Sequence, residues 1–186
     1  MKRTLALALV SALFAAGCAQ QAPQLRVEPT YQDAANAPLL QSSRDAVAQL
    51  VANLDVAATG PGPVLVATVV NVNDMSHSAP LGRTLSEQYA NAMAATGFDV
   101  KEIKLRGEVF VKEGTGELLL SREIKSIARS QNASMVLVGT YSPAASFTYV
   151  SMKLVRTEDS RIIRGHDYAL PNDRDVQRLL QEPSFR

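Results

Sequence analysis

Val64-Leu65-Val66-Ala67-Thr68-Val69-Val70-Asn71-Val72 is the stretch of the chain that decides its fold. It is almost entirely apolar and β-branched, and it lacks the alternation of a strand that has one face in water. This composition is typical of a strand that is covered on both faces. The segment Thr59-Gly60-Pro61-Gly62-Pro63 before it ends any preceding helix. We therefore predict a central strand of a mixed sheet at residues 64–72.

Helical and strand patterns alternate on both sides of this strand. Apolar residues recur at helical spacing over 47–54, and Ser42-Ser43 is predicted to cap that helix. Pro80 is predicted near the first turn of the next helix, with Gly97 as its C-cap. The other predicted elements are a strand at 98–103, a helix within 118–130 that begins near Ser121, strands at 134–141, 146–156 and 161–169, and a short helix at 173–180. A polar hairpin is predicted to join the last two strands.

This order of elements predicts the fold class. It indicates an α/β fold in which a mixed β-sheet packs with helices in a two-layer sandwich. Residues 41–186 are long enough to form a single domain with its own core. The pattern between Lys104 and Thr115 is irregular, and no element is predicted there. The sequence has no internal repeat, which argues against a solenoid or a propeller.

The N-terminus has the pattern of an export signal. Lys2 and Arg3 precede an apolar run that is too short to span a bilayer, which takes about 20 residues. Behind this run, Ala16 and Gly17 precede Cys18, the only cysteine in the chain. These residues resemble the bacterial lipobox, in which the thiol receives a diacylglycerol group, the signal is cleaved, and the new amino group receives an acyl chain.

The lipobox resemblance implies a division of the N-terminal region. Residues 1–17 are then a signal peptide that is cleaved after Gly17, and 18–40 are a lipidated, flexible tether. Ala19 follows the cysteine, and the resemblance therefore favours the outer membrane, with the protein facing the periplasm. Several acyl chains on Cys18 would make attachment effectively permanent. The alternative is an ordinary secretory signal with an incidental cysteine.

The charge balance argues against some partners. Without Lys2 and Arg3, 17 basic residues face 18 acidic residues. A nearly neutral chain has no electrostatic attraction for nucleic acid or for an anionic surface, and no nucleic acid partner is predicted. With Cys18 acylated, no thiol remains for a disulfide.

Five linked stretches carry a resemblance to a known family. They are Val66–Met75 (VATVVNVNDM), Pro80–Gln88 (PLGRTLSEQ), Gly97–Arg106 (GFDVKEIKLR), Leu120–Ile124 (LSREI) and Val136–Tyr141 (VLVGTY). In this order they resemble the FlgO domain of Gram-negative outer-membrane lipoproteins, with the best match over residues 64–163.

The FlgO resemblance implies a fold and a role. The fold is expected to be similar to the N-terminal domain of TolB and to CsgG, although the chain lacks the repeats of a propeller and the long alternating segments of a membrane pore. The family is non-enzymatic and is linked to flagellar motility. The resemblance therefore implies flagellar or envelope protein partners, a homo-oligomer as a family-level expectation, and no cofactor besides the lipid on Cys18.

Four residues are candidate partner contacts because their surroundings resemble the family motifs. Arg83 and Glu87 lie four residues apart on the Pro80 helix, where a surface ion pair contributes about 0.3 to 0.5 kcal/mol. Lys112 and Glu113 lie in a glycine-rich segment that lacks the Gly-Lys-Ser/Thr of a phosphate loop, so a structural turn is favoured there. Gly82 is predicted to allow close packing against the sheet.

The loop after the first predicted strand is a candidate ligand or metal site. Asn73, Asp74 and His77 follow the first strand, where open α/β sheets bind ligands, but one carboxylate makes a poor metal site, and no metal is predicted. Capping of the Pro80 helix by Ser76 or Ser78 is the favoured role of this loop.

Catalysis has little support in the sequence. A serine hydrolase would need His77 or His166 as its base, and neither lies in a Gly-x-Ser-x-Gly elbow. A half-exposed strand position is predicted for His166, and no catalytic residue is predicted. The leading hypothesis is a non-enzymatic structural or assembly lipoprotein needed for motility. The alternative is a periplasmic ligand-binding or assembly lipoprotein of another envelope machine.

Overall fold

The structure is a computed structural model that describes residues 28–55, 59–75, 78–103, 110–112, 118–120 and 122–181. The chain divides into two compact units, Met1–Ala34 and Ala35–Arg186. The predicted signal peptide, Cys18, Ser76, His77 and Glu113 lie outside the described residues, and Lys112 is described by its backbone alone. In the first unit, Thr30 Oγ1 donates to Asp33 Oδ2 over 2.7 Å at the start of helix α1, Tyr31–Ala35.

The second unit contains the remaining elements. In chain order these are α2 (Pro38–Leu50), β1 (Val64–Ala67), β2 (Val70–Asn71), α3 (Pro80–Ala95), β3 (Val100–Ile103), β4 (Phe110–Lys112), β5 (Leu118–Leu120), α4 (Arg122–Ser130), β6 (Met135–Pro143), β7 (Phe147–Arg156), β8 (Ile162–Pro171) and α5 (Arg174–Leu180). No helix in the described ranges is long and apolar enough to cross a membrane.

Six strands form one mixed sheet. Its order is β3-β1-β6-β7-β8, and β2 pairs with β6 beside the end of β1. The pairs of β1 with β3 and with β6 are parallel, whereas β6, β7 and β8 form an antiparallel meander. The mixed sheet and the hairpin predicted between β7 and β8 are confirmed.

The central strand is interrupted by a bulge. Val66 faces Leu137 and Val70 faces Thr140, so this strand has one residue more than β6 over the same distance. The extra residue divides the predicted strand into β1 and β2. All four residues of β1 are buried, which confirms a strand covered on both faces.

Helices pack on both faces of the sheet. The first face carries α2, α3 and α5, and its core includes Leu50, Leu81, Leu85, Tyr89, Met93, Leu137, Tyr141, Met152, Leu154 and Leu170. The second face is covered in part by α4, whose Ile124 and Ala128 belong to a smaller core with Leu65 and Val136. The α/β fold is confirmed, and α4 adds a partial layer to the predicted sandwich.

Both ends of α3, at Pro80 and Gly97, and the start of α5 after Asp173 agree with the sequence, whereas the start of α2 does not. Gly97 follows α3 with φ +95°, and Asp173 Oδ1 accepts hydrogen bonds from the backbone N–H groups at the start of α5. The predicted cap at Ser42-Ser43 is wrong, because α2 already begins at Pro38 and Ser43 is buried within it. A proline at the first helical position lacks only an N–H that would have no partner there.

The region before α4 also differs from the prediction. The predicted start of the helix near Ser121 is confirmed to within one residue, since α4 begins at Arg122. Leucines of 118–120 were assigned to the apolar face of that helix, but Leu118–Leu120 forms β5, which pairs antiparallel with β4. The pairing partner, β4, lies outside the segment with helical spacing, and local spacing carries no information about it.

Candidate functional site

The bulge at Val69 is fixed to the start of α3. The Val69 N–H donates to Ser86 Oγ over 2.8 Å, and Ser78 Oγ donates to the Val69 carbonyl oxygen over 2.7 Å. Ser86 Oγ in turn donates to the Gly82 carbonyl oxygen over 2.7 Å. Both backbone groups of the bulged residue are thus satisfied by serines, Ser86 within the Pro80–Gln88 stretch and Ser78 just before it.

Gly82 lies where the helix comes closest to the sheet. A Cβ atom at this position would overlap the Val69 carbonyl oxygen and Ser78 Oγ, and it would lie 3.1 Å from the Tyr141 ring. The Tyr141 hydroxyl accepts a 3.0 Å hydrogen bond from the Ala79 N–H, the N-cap of α3. The predicted close packing at Gly82 is confirmed, whereas Ser78 bonds to the bulge instead of capping the helix.

We expect Ser86→Ala to lower the free energy of unfolding by about 2 kcal/mol, because it leaves the buried Val69 N–H without an acceptor. Urea unfolding followed by circular dichroism measures this change. Ser130→Ala is the matched control, since the Ser130 hydroxyl also bonds to a carbonyl of its own helix but is exposed. Equal losses for the two variants would contradict the role assigned to Ser86.

Arg83 and Glu87 remain exposed on α3. The Arg83 guanidinium donates to the Ser78 carbonyl oxygen, and it forms no ion pair with Glu87. The ion pair predicted from their spacing is therefore wrong, because the chain before the helix offers Arg83 a nearer acceptor. Arg83 holds the Ser78 loop in place, and its role as a partner contact stays a prediction.

Beyond α4, no element among the described residues covers the second face of the sheet, which is called the open face below. A groove of about 540 Å³ crosses β6, β7 and β8 there, and it is lined by Val72, Thr140, Tyr149, Ser151, Asp167 and Ala169 among others. Three large apolar side chains on or beside it are exposed: Val72 (39%), Phe147 (44%) and Tyr149 (56%). Sequence analysis missed this surface, although aromatic residues two apart at Phe147 and Tyr149 place both side chains on one face of the strand.

The groove does not assemble a hydrolase site from the described residues. Ser151 and Asp167 face each other across β7 and β8, whereas His166 faces Met152. Successive side chains of a strand point to opposite faces, so the imidazole lies on the other side of the sheet from Ser151 and Asp167. His166 is half-buried, as predicted, and its ring stacks on that of Tyr168 with centroids 6.2 Å apart.

The loop after β2 is a tight turn. The Asn73 N–H donates to Asn71 Oδ1 over 3.0 Å, and the Asp74 N–H donates to the Asn71 carbonyl oxygen over 3.2 Å. Among the residues that the structure describes, no group of three His, Cys, Asp or Glu side chains is placed to hold a metal ion. The predicted third member, His77, lies outside the described residues.

Two tyrosine hydroxyls are hydrogen-bonded to each other on the first face of the sheet. The hydroxyls of Tyr89 on α3 and Tyr168 on β8 lie 2.5 Å apart, and Ser43 Oγ on α2 lies 2.5 Å from Gln88 Oε1. Burial raises the pKa of Tyr89 well above its usual value, and the charge and hydrogen bond of Tyr168 raise this pKa further. Burial also raises the pKa of Tyr168. These hydrogen-bonded side chains lie on three elements, α2, α3 and β8. The two tyrosines remain neutral at physiological pH.

The fold is a mixed-sheet α/β domain with a groove and exposed apolar side chains on its second face. The chain belongs to the FlgO protein family, since the model of that family, described as FlgO protein, matches residues 44–175. This match covers well over half of the chain, and it supports an outer-membrane lipoprotein of the cell envelope. A comparison with curated proteins gives no match.

Several solved structures are similar to this chain. The C-terminal domain of LpoB from Salmonella enterica is 17% identical with a TM-score of 0.48, and the alignment covers 72% of this chain and 98% of that one. The same domain from Escherichia coli is 18% identical over the same shares, also with a TM-score of 0.48. PelC from Paraburkholderia phytofirmans, solved as a dodecamer, is 18% identical over 60% of this chain and 72% of its own, with a TM-score of 0.41.

Proposed function

We propose that this protein is a non-enzymatic lipoprotein of the outer membrane that faces the periplasm and serves as a structural or assembly component of the flagellum, needed for motility. The observation that supports this proposal is the family match over residues 44–175. In this proposal the Cys18 lipobox supplies the anchor, and the chain between Cys18 and the start of α2 at Pro38 connects the lipid to the domain. Acyl chains on Cys18 hold the protein at the membrane because each buried methylene contributes about 0.8 kcal/mol.

The structure supports a contact role in preference to catalysis. The groove on the second face is lined by Tyr149 and Val72, and the nearby Ser151 and Asp167 have no imidazole on their side of the sheet among the described residues. Such a surface binds through apolar burial and hydrogen bonds. Arg83, Glu87, Lys112 and Glu113 are the charged residues that we propose contact flagellar or envelope partners.

A gene deletion complemented with variants tests the proposal. The deletion strain is expected to swim poorly, and the wild-type gene is expected to restore swimming. Cys18→Ser is expected to remove labelling by a palmitate analogue and to shift the protein out of the outer-membrane fraction, because no other thiol is present to acylate. Ala19→Ser, one residue away, is the matched control and should retain both properties.

The readouts separate the two parts of the proposal. Unchanged palmitate labelling of Cys18→Ser would refute the anchor. Normal swimming and flagellar number in the deletion strain, with the protein still in the outer membrane, would refute the flagellar role. That second result favours the alternative, a ligand-binding or assembly lipoprotein of another envelope machine, for which the 540 Å³ groove is the supporting observation.

A further inference from the structure

An uncharged surface ends the sheet at the turn between β6 and β7. Every residue of this turn, Pro143–Phe147, is exposed, and the chain has no charged residue from 130 to 152. Five large apolar side chains are exposed among the described residues, and Val72, Phe147 and Tyr149 are three of them. We call the turn together with Val72 and Tyr149 the apolar tip. Such a cluster on a surface marks a contact with a partner or a membrane.

The carbonyl groups of the turn are already hydrogen-bonded within the protein. The Phe147 carbonyl oxygen accepts from the Ala144 N–H over 2.9 Å. Asn172 Nδ2 donates to the carbonyl oxygens of Ala144 and Ala145 over 2.6 and 3.3 Å. The Asn172 N–H donates to the Ser146 carbonyl oxygen over 3.0 Å. All four carbonyl groups from Ala144 to Phe147 therefore have a partner in the chain.

Asn172 is itself fixed in this position. Its Oδ1 accepts a 2.7 Å hydrogen bond from the hydroxyl of the fully buried Thr148, and its carbonyl oxygen accepts one of 2.7 Å from Gln177 Nε2. A turn in water has no need of such bonds, because water satisfies its carbonyl groups. A carbonyl group without a partner is costly only where water is excluded. The turn can therefore leave water without losing its carbonyl hydrogen bonds.

A lipid surface is the partner that matches this chemistry. Aromatic residues concentrate where the hydrocarbon of a bilayer meets its headgroups, and alanine and proline have no charge to desolvate there. Oxygen atoms of the lipid esters and phosphates can accept from the N–H groups of the turn. A protein interface relies on directional hydrogen bonds to fix its register, whereas the carbonyl groups of this turn are used within the chain.

The proposed anchor keeps the domain close to such a surface. The chain from Cys18 to Pro38 includes the short helix α1, so even with all other residues extended it spans at most about 60 Å. A tethered group has a high effective concentration at a surface within its reach. A small apolar tip is therefore sufficient for contact, although it would hold a free protein only weakly.

We infer that the apolar tip inserts into the lipid interface of the membrane that carries the Cys18 anchor. Phe147 and the turn enter the boundary between headgroups and acyl chains, and Tyr149 lies at the headgroup level. This second contact orients the domain on the bilayer, whereas the lipid on Cys18 only tethers it. The inference rests on the proposed anchor and does not depend on the flagellar role.

A single tryptophan tests the insertion, because the chain contains none. Full-length lipoprotein carrying Phe147→Trp is reconstituted into neutral phosphatidylcholine vesicles, and its fluorescence is compared with that in vesicles of phosphatidylcholine with brominated acyl chains. Ile162→Trp is the matched control, since Ile162 is 54% exposed on the same face but at the opposite end of the sheet. We expect at least about three times more quenching for Phe147→Trp than for the control. Raising the salt concentration should change this by less than about twofold, because no charge is involved.

A second reporter shows whether Phe147 drives the insertion. In a Tyr149→Trp background, Phe147→Asp is expected to reduce quenching at least about threefold, because a charge resists transfer into the interface. Phe147→Leu stays apolar and should retain quenching. Both substitutions are at an exposed position, and circular dichroism checks that both variants are folded.

The outcomes separate this inference from the anchor. Flotation of the wild-type protein with the vesicles reports the lipid anchor, and failure to float would refute the anchor and the inference together. Flotation with equal quenching of Phe147→Trp and Ile162→Trp would overturn the inference alone. Equal quenching of the Phe147→Asp and Phe147→Leu variants would also overturn it, as would protection of the tip that requires another protein.

Discussion

Gly82→Ala is expected to lower the free energy of unfolding by about 3 kcal/mol, the largest loss that we predict for a single methyl group in this chain. The added Cβ would overlap the Val69 carbonyl oxygen and Ser78 Oγ, and backbone cannot rotate away as a flexible side chain can. Relief requires α3 to move from the sheet, which also lengthens the hydrogen bond from the Val69 N–H to Ser86 Oγ.

Urea unfolding of the variant and of the wild type measures this loss. Gly165→Ala is the matched control, because a Cβ there meets its nearest atom, the Met152 carbonyl oxygen, at 3.7 Å, an ordinary contact. We expect the control to stay within about 0.5 kcal/mol of the wild type. If Gly82→Ala were as stable as the wild type, the close approach of α3 to the bulge would not contribute to the stability of the domain.

Alkaline pH is expected to destabilise the protein through the buried tyrosine pair. Burial, followed by the charge and hydrogen bond of Tyr168, raises the pKa of Tyr89 well above 10, so the folded protein keeps the Tyr89 proton that the unfolded chain releases. The full contribution to stability is present below pH 10, the ordinary tyrosine value. It is lost as the pH rises further, by about 1.4 kcal/mol per pH unit for one retained proton.

The Tyr89→Phe variant isolates this effect. Its free energy of unfolding should fall less steeply with pH than that of the wild type between about pH 10 and 11.5, because a phenylalanine side chain has no proton to release when the chain unfolds. Urea unfolding at a series of pH values gives both slopes. Tyr149→Phe, which removes an exposed hydroxyl, should retain the wild-type slope. Identical slopes for wild type and Tyr89→Phe would refute the assignment.

The FlgO family motifs have structural roles in this fold. The stretch Val66–Met75 contains the bulge, and Pro80–Gln88 supplies Gly82 and Ser86, which accommodate and bond it. In Val136–Tyr141, the Tyr141 hydroxyl bonds the start of α3. Three of the five stretches that carry the resemblance therefore meet at one junction, between the parallel half of the sheet and its main helix.

Local sequence patterns predicted most of the elements. The β-branched run at 64–72, the helix from Pro80 to Gly97 and the meander from Met135 to Pro171 are each encoded by residues close in the chain, through periodicity and turn chemistry. The errors fall where the partner lies outside the local helical pattern. Leu118–Leu120 forms a strand because it pairs with Phe110–Lys112, and the Arg83 guanidinium bonds to the Ser78 carbonyl oxygen, before the helix, instead of to Glu87.

The sequence by itself determined the α/β class, the central buried strand, the family and the expectation of a lipid on Cys18, because these depend on composition, spacing and short motifs. Only the tertiary structure decided the bulge at Val69, the pairing of Tyr89 with Tyr168, the open face with Tyr149 and the position of β8 at the end of the described strand order. The physical reason is that these features arise between residues far apart in the chain. Strand order decides which edge stays unpaired, and packing decides which face a helix leaves open.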